Sequence, residues 1–368
     1  MKTRESIAYP VLMVLGALDA AGYSVIAPVT PAIARATGAG PALIGALVAS
    51  FPVGIMVGFL LAPPGVKKGR STAVLLVSLG LVALGSLGFV AGHTLEIYFA
   101  ARLVMGLGSG GVWIGVTFGT LERWPGQEYL CMSRIFSAYA VGAMVGPALG
   151  AIGGIRAPFL AYLALLCASA ILVVLMGRPA TNRAFRSDLG ALRLPGFWLA
   201  SSTVLFVVLA LGTMDGVLPL HLVERLSQAE IGALYAGTSL LVAASAAVAA
   251  RSRSRPLVLA SAALVVSGIA LAGLVDVVPL WIVAFGLAGL GAGAGYTGSA
   301  GVLLEAVGTE RIVTAMVVWS QLGILGYLLG PLAGGAVVQG LGFAAIGLVP
   351  AAAAAIVLMT YTRARSAP

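Results

Sequence analysis

Charge is what this sequence has least of. Lysine, arginine, aspartate and glutamate make up 9% of 368 residues, and only 12 residues are acidic. A soluble chain carries about 25% charged residues to cover its surface, so a soluble globular protein is excluded. Cysteine and histidine are nearly absent too, at two each. Cys131 and Cys167 have no metal-ligand spacing and no disulfide is expected of them, while His93 and His221 fall at expected outer helix ends. No metal site and no cofactor are expected from four such scattered residues. Also missing are the short alternating segments of a membrane β-barrel. There is no nucleophile–base constellation and no phosphate-cradling loop, so an enzyme is not expected.

What is abundant is apolar. Hydrophobic residues make up 60% of the chain, and the mean hydropathy is +1.07. The apolar runs are long and continuous, and about 20 such residues span a bilayer as a helix. Spans are expected near 8–33, 41–62, 71–92, 96–120, 131–154, 158–176, 197–220, 229–250, 256–275, 280–304, 312–338 and 343–361. The first run is too long for a signal peptide and counts as span 1. The fold class is therefore an all-α membrane protein with twelve transmembrane helices in two six-helix pseudo-symmetric halves. The basic segment 177–196 divides an N-terminal half, 1–176, from a C-terminal half, 197–368.

The net charge of +9 raises nucleic acid as a partner, but the basic residues sit in short loops between spans. They read instead as orientation signals. With the N-terminus inside, 17 of 21 lysines and arginines lie on the inner side, leaving Arg35, Arg102, Arg156 and Arg225. Both termini are thus expected in the cytoplasm. Arginine far outnumbers lysine and alanine and glycine are heavily used, which points to a bacterial inner membrane.

The halves repeat one another. Gly142-x3-Gly146-Pro147-x2-Gly150 recurs as Gly326-x3-Gly330-Pro331-x2-Gly334, 184 residues on. Ile44-Gly45-Ala46-Leu47 recurs as Ile231-Gly232-Ala233-Leu234, and Gly106, Gly108 and Gly110 match Gly289, Gly291 and Gly293. Parallel repeats of membrane helices mark secondary transporters. Glycines four apart lie on one helix face and permit close helix approach, and a proline bends its helix. Spans 5 and 11 are therefore expected to form a seam at which the halves rock. Plain tight packing is the alternative for each glycine alone.

Asp19 lies about 15 Å into span 1 at 1.5 Å per residue, near the bilayer midplane. A carboxylate there costs on the order of 3 kcal/mol and is a functional candidate by default. Arg102, about 9 Å below the outer boundary of span 4, is expected to pair with it; the alternative is snorkelling to the surface. Asp215 in span 7 reads as a solvated helix end. Tyr23, Trp113, Tyr139, Tyr235, Thr238, Tyr296, Thr297, Trp319, Ser320 and Gln321 are candidates to line a mostly apolar substrate cavity.

These residues together resemble the twelve-span drug:proton antiporters of the major facilitator superfamily. Asp19-x8-Pro28-x2-Pro31 looks like span 1 of tetracycline efflux pumps and vesicular monoamine transporters. Arg102-x3-Gly106-x-Gly108 resembles the span 4 motif associated with proton transfer, and the span 5 motif resembles the one associated with export. The resemblance covers the whole chain. It implies the major facilitator fold, alternating access and proton-driven export of a small amphipathic or hydrophobic compound by a monomer. Asp19 and Arg102 would be the coupling residues. The segment Pro63 to Arg70 departs from the family's loop after span 2, with Val66 nearest the place of an Asp, and Trp319, Ser320 and Gln321 stand where some relatives carry an acid. An uncoupled sugar or metabolite exporter of the same fold is the alternative, and it has no need of a midplane acid.

Overall fold

The computed structural model describes residues 2–63, 70–124, 127–177, 189–252 and 254–366. The loop at 64–69 and the stretch 178–188 of the expected linker lie outside the described residues. The rest is almost entirely helical. Eleven helices among the described residues are long and apolar enough to cross a membrane, and Glu128–Gly150, the expected span 5, is a further helix of 23 residues.

One span differs from its expected form. Span 1 is not one helix. It runs from Lys2 to Ser24, turns through a 3-10 segment at Ala27–Val29, and resumes at Thr30–Thr37. Pro28 and Pro31 account for the break. Neither can donate a backbone hydrogen bond, and each crowds the turn before it. Spans 10 and 11 are Val278–Val307 and Ala315–Leu341. The backbone stays helical between them, but the two spans fold back on each other: Trp319 bonds to Ser299 at 2.7 Å, whereas a straight helix would hold residues that far along the chain about 30 Å apart. The other spans are Pro41–Leu61 (span 2), Ser71–Ala91 (3), Leu95–Arg123 (4), Arg156–Met176 (6), Pro195–Leu222 (7), Gln228–Ala249 (8), Ser254–Leu274 (9) and Leu348–Ser366 (12).

The chain divides into two compact units. One comprises Met1–Ala39, Ser50–Phe185 and Ser227–Ala236; the other comprises Gly40–Ala49, Arg186–Leu226 and Gly237–Pro368. Each therefore holds most of one sequence half plus the start of the second span of the other half. Within the first unit, spans 2 and 4 approach through glycines: a methyl group on Gly54 would sit 2.7 Å from the Leu107 nitrogen, and one on Gly110 would sit 3.0 Å from the Gly58 Cα. Within the second unit, a methyl on Gly293 would meet Ser245 Cβ of span 8 at 2.8 Å. Backbone-to-backbone contact of this kind replaces the hydrophobic driving force that lipid does not supply.

The export-motif glycines pack inside each unit. Gly142 rests on the carbonyl of Ala17, and a methyl on Gly146 would lie 2.6 Å from the Ala21 carbonyl oxygen; on Gly150 it would meet that of Val25 at 2.6 Å. In the second unit, a methyl on Gly326 would lie 2.7 Å from the Leu205 carbonyl oxygen, Gly330 rests on the Leu209 carbonyl, and Gly334 faces Thr213. The stripes thus face spans 1 and 7 of their own halves. A sequence shows that such a face is smooth, but not which helix fills it.

The repeated Ile-Gly-Ala-Leu segments supply the exchanged contacts. In the second unit Gly45 lies against the Pro331 carbonyl, and in the first a methyl on Gly232 would sit 2.7 Å from the Pro147 carbonyl oxygen. Glutamines reinforce both. Gln339 accepts from the Ala42 N–H at 3.0 Å. Gln228 donates to the carbonyls of Gly150 at 2.7 Å and Gly154 at 3.0 Å, and accepts from the Gly154 N–H at 2.9 Å.

Candidate functional site

The break in span 1 builds the site. When a helix stops, its last carbonyls lose their intrahelical donors and carry the negative end of the helix dipole. Around the break the backbone bonds run from Val25 to Ala21 and from Val29 and Thr30 to Ile26. The Arg102 guanidinium takes the carbonyls in between, donating to Gly22 at 3.0 Å and Tyr23 at 3.2 Å. Arg102 is completely buried. Its guanidinium carbon lies 4.3 Å over the Phe51 ring and 5.7 Å from that of Tyr23. Stacking on aromatic faces is one of the few favourable ways to hold a dry cation. The snorkelling alternative does not apply to a side chain with no exposure.

Asp19 lies one turn before those carbonyls and is 9% exposed. Ser109 of span 4 is its hydrogen-bonding neighbour and is itself buried. Tyr162 of span 6 donates to the Leu18 carbonyl at 2.9 Å, and a methyl on Gly22 would collide with its ring, 2.8 Å from Cζ. Spans 4 and 6 therefore fix the turn that carries the acid. The described bonds of Arg102 run from span 4 to the span 1 backbone just beyond Asp19, so both charges bear on the same kinked helix segment. The arrangement can hold a proton on a nearly dry carboxyl group and pass its movement to the break through the backbone that Arg102 grips.

Ser109, Tyr162 and Phe51 were not among the expected site residues. Ser109 had a signal, since it follows Arg102 by seven residues, two turns along the same face of span 4. Tyr162 and Phe51 had none beyond being aromatic in a span.

The expected cavity residues divide between the units. In the first, Tyr23 packs on Phe51 with ring centroids 5.7 Å apart, and Trp113 meets Tyr139 edge-on at 5.7 Å. Tyr235 also belongs to this unit and is buried. In the second, Thr238 packs against Gly289 of span 10, and Tyr296 hydrogen-bonds with Tyr327. Trp319 gives its only donor to Ser299 at 2.7 Å, and Ser299 in turn donates to the Ala200 carbonyl at 2.6 Å. Trp319 thereby ties spans 7, 10 and 11 together. Gln321 is half-buried and Ser320 bonds back to Val317.

Comparison with known proteins gives a consistent outcome. The family model described as the Major Facilitator Superfamily matches residues 12–272. A solved bacterial homologue of the human lysosomal transporter Spinster, inward-facing and unoccupied, is similar with a TM-score of 0.72 at 13% identity. The match covers 99% of this chain and 95% of that one. The human organic anion transporter MFSD10 (TETRAN) is similar with a TM-score of 0.63 at 18% identity, covering 97% of this chain and 99% of that one. At such identities the likeness speaks for the fold. No curated protein matches the sequence.

Proposed function

The chain belongs to the major facilitator superfamily and is a multi-pass membrane transporter, and from that premise we propose that it exports a small amphipathic or hydrophobic compound in exchange for protons. Members of this family are transporters, not enzymes, and they bind small-molecule substrates. The observation that carries the coupling reading is Asp19, an acid 9% exposed in mid-span beside a fully buried arginine. Such groups are retained in membrane helices at a cost, and mark ion or proton pathways.

In this reading the six-span halves 1–176 and 197–368, joined by the linker 177–196, are the moving bodies. The chain sits in a bacterial inner membrane with both termini in the cytoplasm. Protonation of Asp19 removes a charge from the segment whose end Arg102 grips, and so shifts the balance between two conformations of the span 1 break. The exchanged contacts, Gly45 with Pro331 and Gly232 with Pro147, are the ones alternation would remake. A pump has to remake them without unfolding its helices, and glycine against a carbonyl allows close sliding with few interlocking side chains.

The test is purified protein in liposomes enclosing a pH-sensitive dye and challenged with a panel of amphipathic cations, neutral compounds and organic anions. Exchange predicts that at least one compound moves protons in the opposite direction. Transport of a compound with no proton movement at any imposed pH gradient would replace this reading with an uncoupled carrier.

A further inference from the structure

The four arginines outside the inner loops can be followed one by one. Arg102 is buried against span 1. Arg225 pairs with Asp276 at 3.1 Å. Arg35 turns its Nε onto the Pro31 carbonyl of its own helix at 3.3 Å. Arg156, at the start of span 6, differs from these. Its described polar contact is with His93, whose two ring nitrogens lie 3.4 Å and 3.5 Å from Nη2. A donor nearly equidistant from both nitrogens cannot bond in line to either. The guanidinium therefore lies against the imidazole through Nη2. Among the described residues no carboxylate pairs with Arg156, and Glu96, just after His93 in the chain, is hydrogen-bonded to Thr94.

Arg156 and His93 line a cavity of about 660 Å³ in the first unit. Its other walls are small or apolar, with Ala32 and Ala36 on one side and Gly153, Gly154 and Ile155 on another. Gly153 and Gly154 have φ of +108° and +64°, and nothing lies within 4 Å of where a side chain would begin at either. Tyr98 spends its hydroxyl on the Gly92 carbonyl at 3.0 Å. The cavity is thus large enough for a small ligand. It offers a cation and an imidazole, and no acid lines it.

We propose that this cavity binds a phosphate-type oxyanion, either free in solution or as the head group of an anionic lipid, with Arg156 as anchor and His93 as a second donor. The forked donors of a guanidinium match two oxygens of such a group. The site adjoins the Gly154 backbone that Gln228 holds from both sides, so an occupant would bear on the turn that joins span 5 to the start of span 8.

The experiment uses the full chain in two arms. In nanodiscs of phosphatidylcholine alone, inorganic phosphate is titrated and binding is read by thermal unfolding and phosphorus NMR line width. In nanodiscs that also contain phosphatidylglycerol, retained anionic lipid is counted by native mass spectrometry. Saturable binding is expected in at least one arm, and which arm responds identifies the source. Arg156→Ala should weaken it about tenfold or more, as the loss of a charge-assisted pair does. Arg156→Lys and His93→Gln should weaken it less. Arg156 and His93 are exposed, so these variants should fold. Absence of saturable binding in both arms, or binding unchanged in Arg156→Ala, would overturn the proposal.

Discussion

The two halves of this chain share a scaffold and differ in their charges. Gly142 rests on the Ala17 carbonyl and Gly326 on that of Leu205, so span 1 maps onto span 7 with an offset of 188 (205 less 17). The same offset carries Pro31 onto Pro219. In this register Asp19 falls on Val207. The span 4 glycines map onto span 10 with an offset of 183, which puts Arg102 on Phe285 and Ser109 on Ala292. All three counterparts are buried. The inner ends repeat as well, because Ser71 donates to Glu122 at 3.2 Å and Ser254 donates to Glu305 at 2.9 Å, again 183 residues apart. What recurs is mechanical: close helix contacts and ties at helix starts. The acid, the buried cation and their serine occur once.

If that division is right, the same change should act differently at matched positions. The largest contrast is between Arg102→Ala and Phe285→Ala. Removing the guanidinium leaves the Gly22 and Tyr23 carbonyls without it and should take transport to background; Arg102→Lys should keep part of it, since charge remains without the fork. Phe285→Ala should cost about 3–5 kcal/mol of stability, yet leave the dependence of transport on the pH gradient intact in whatever protein folds. Transport assays in liposomes with the folded fraction counted separately decide this, and loss of gradient dependence in Phe285→Ala would erase the contrast.

Next in size are the export-motif glycines, where the halves should behave alike. Gly142→Leu and Gly326→Leu each force a side chain into a neighbouring helix backbone and should cost about 1–3 kcal/mol. The readout is unfolding temperature in detergent. Because the stripes face spans 1 and 7 of their own halves, the damage should be to stability first. A variant of full stability that is locked in one conformation would mean that the stripe itself slides during transport.

The smallest effects belong to the serine–glutamate ties. Ser71→Ala should cost about 1 kcal/mol, as the loss of a buried hydrogen bond does, and Ser254→Ala should cost less because its bond is exposed. Unfolding temperatures of the two variants check the order. A larger loss in Ser254→Ala would show that burial does not rank the two ties.

Much of this was legible in the sequence because lipid imposes simple rules. Span length and the paired glycine–proline motifs are one-dimensional signals, and they placed the helices, the repeat and Asp19. The partners of Arg102 were not legible. They exist only because span 1 stops at Ser24, and the prolines announced a bend without saying which carbonyls it would expose. Tyr162 looks like any other packing hydroxyl until spans 4 and 6 converge on Leu18 and Asp19.

The central claim is that proton coupling resides in the unrepeated acid, and Asp19→Asn tests it most directly. Asparagine keeps the size of the side chain but cannot release a proton. In liposomes with an imposed pH gradient, the variant should lose uphill accumulation of substrate while still exchanging labelled for unlabelled substrate across the membrane, which needs no net proton movement. Uphill accumulation by Asp19→Asn at the wild-type level would contradict the account.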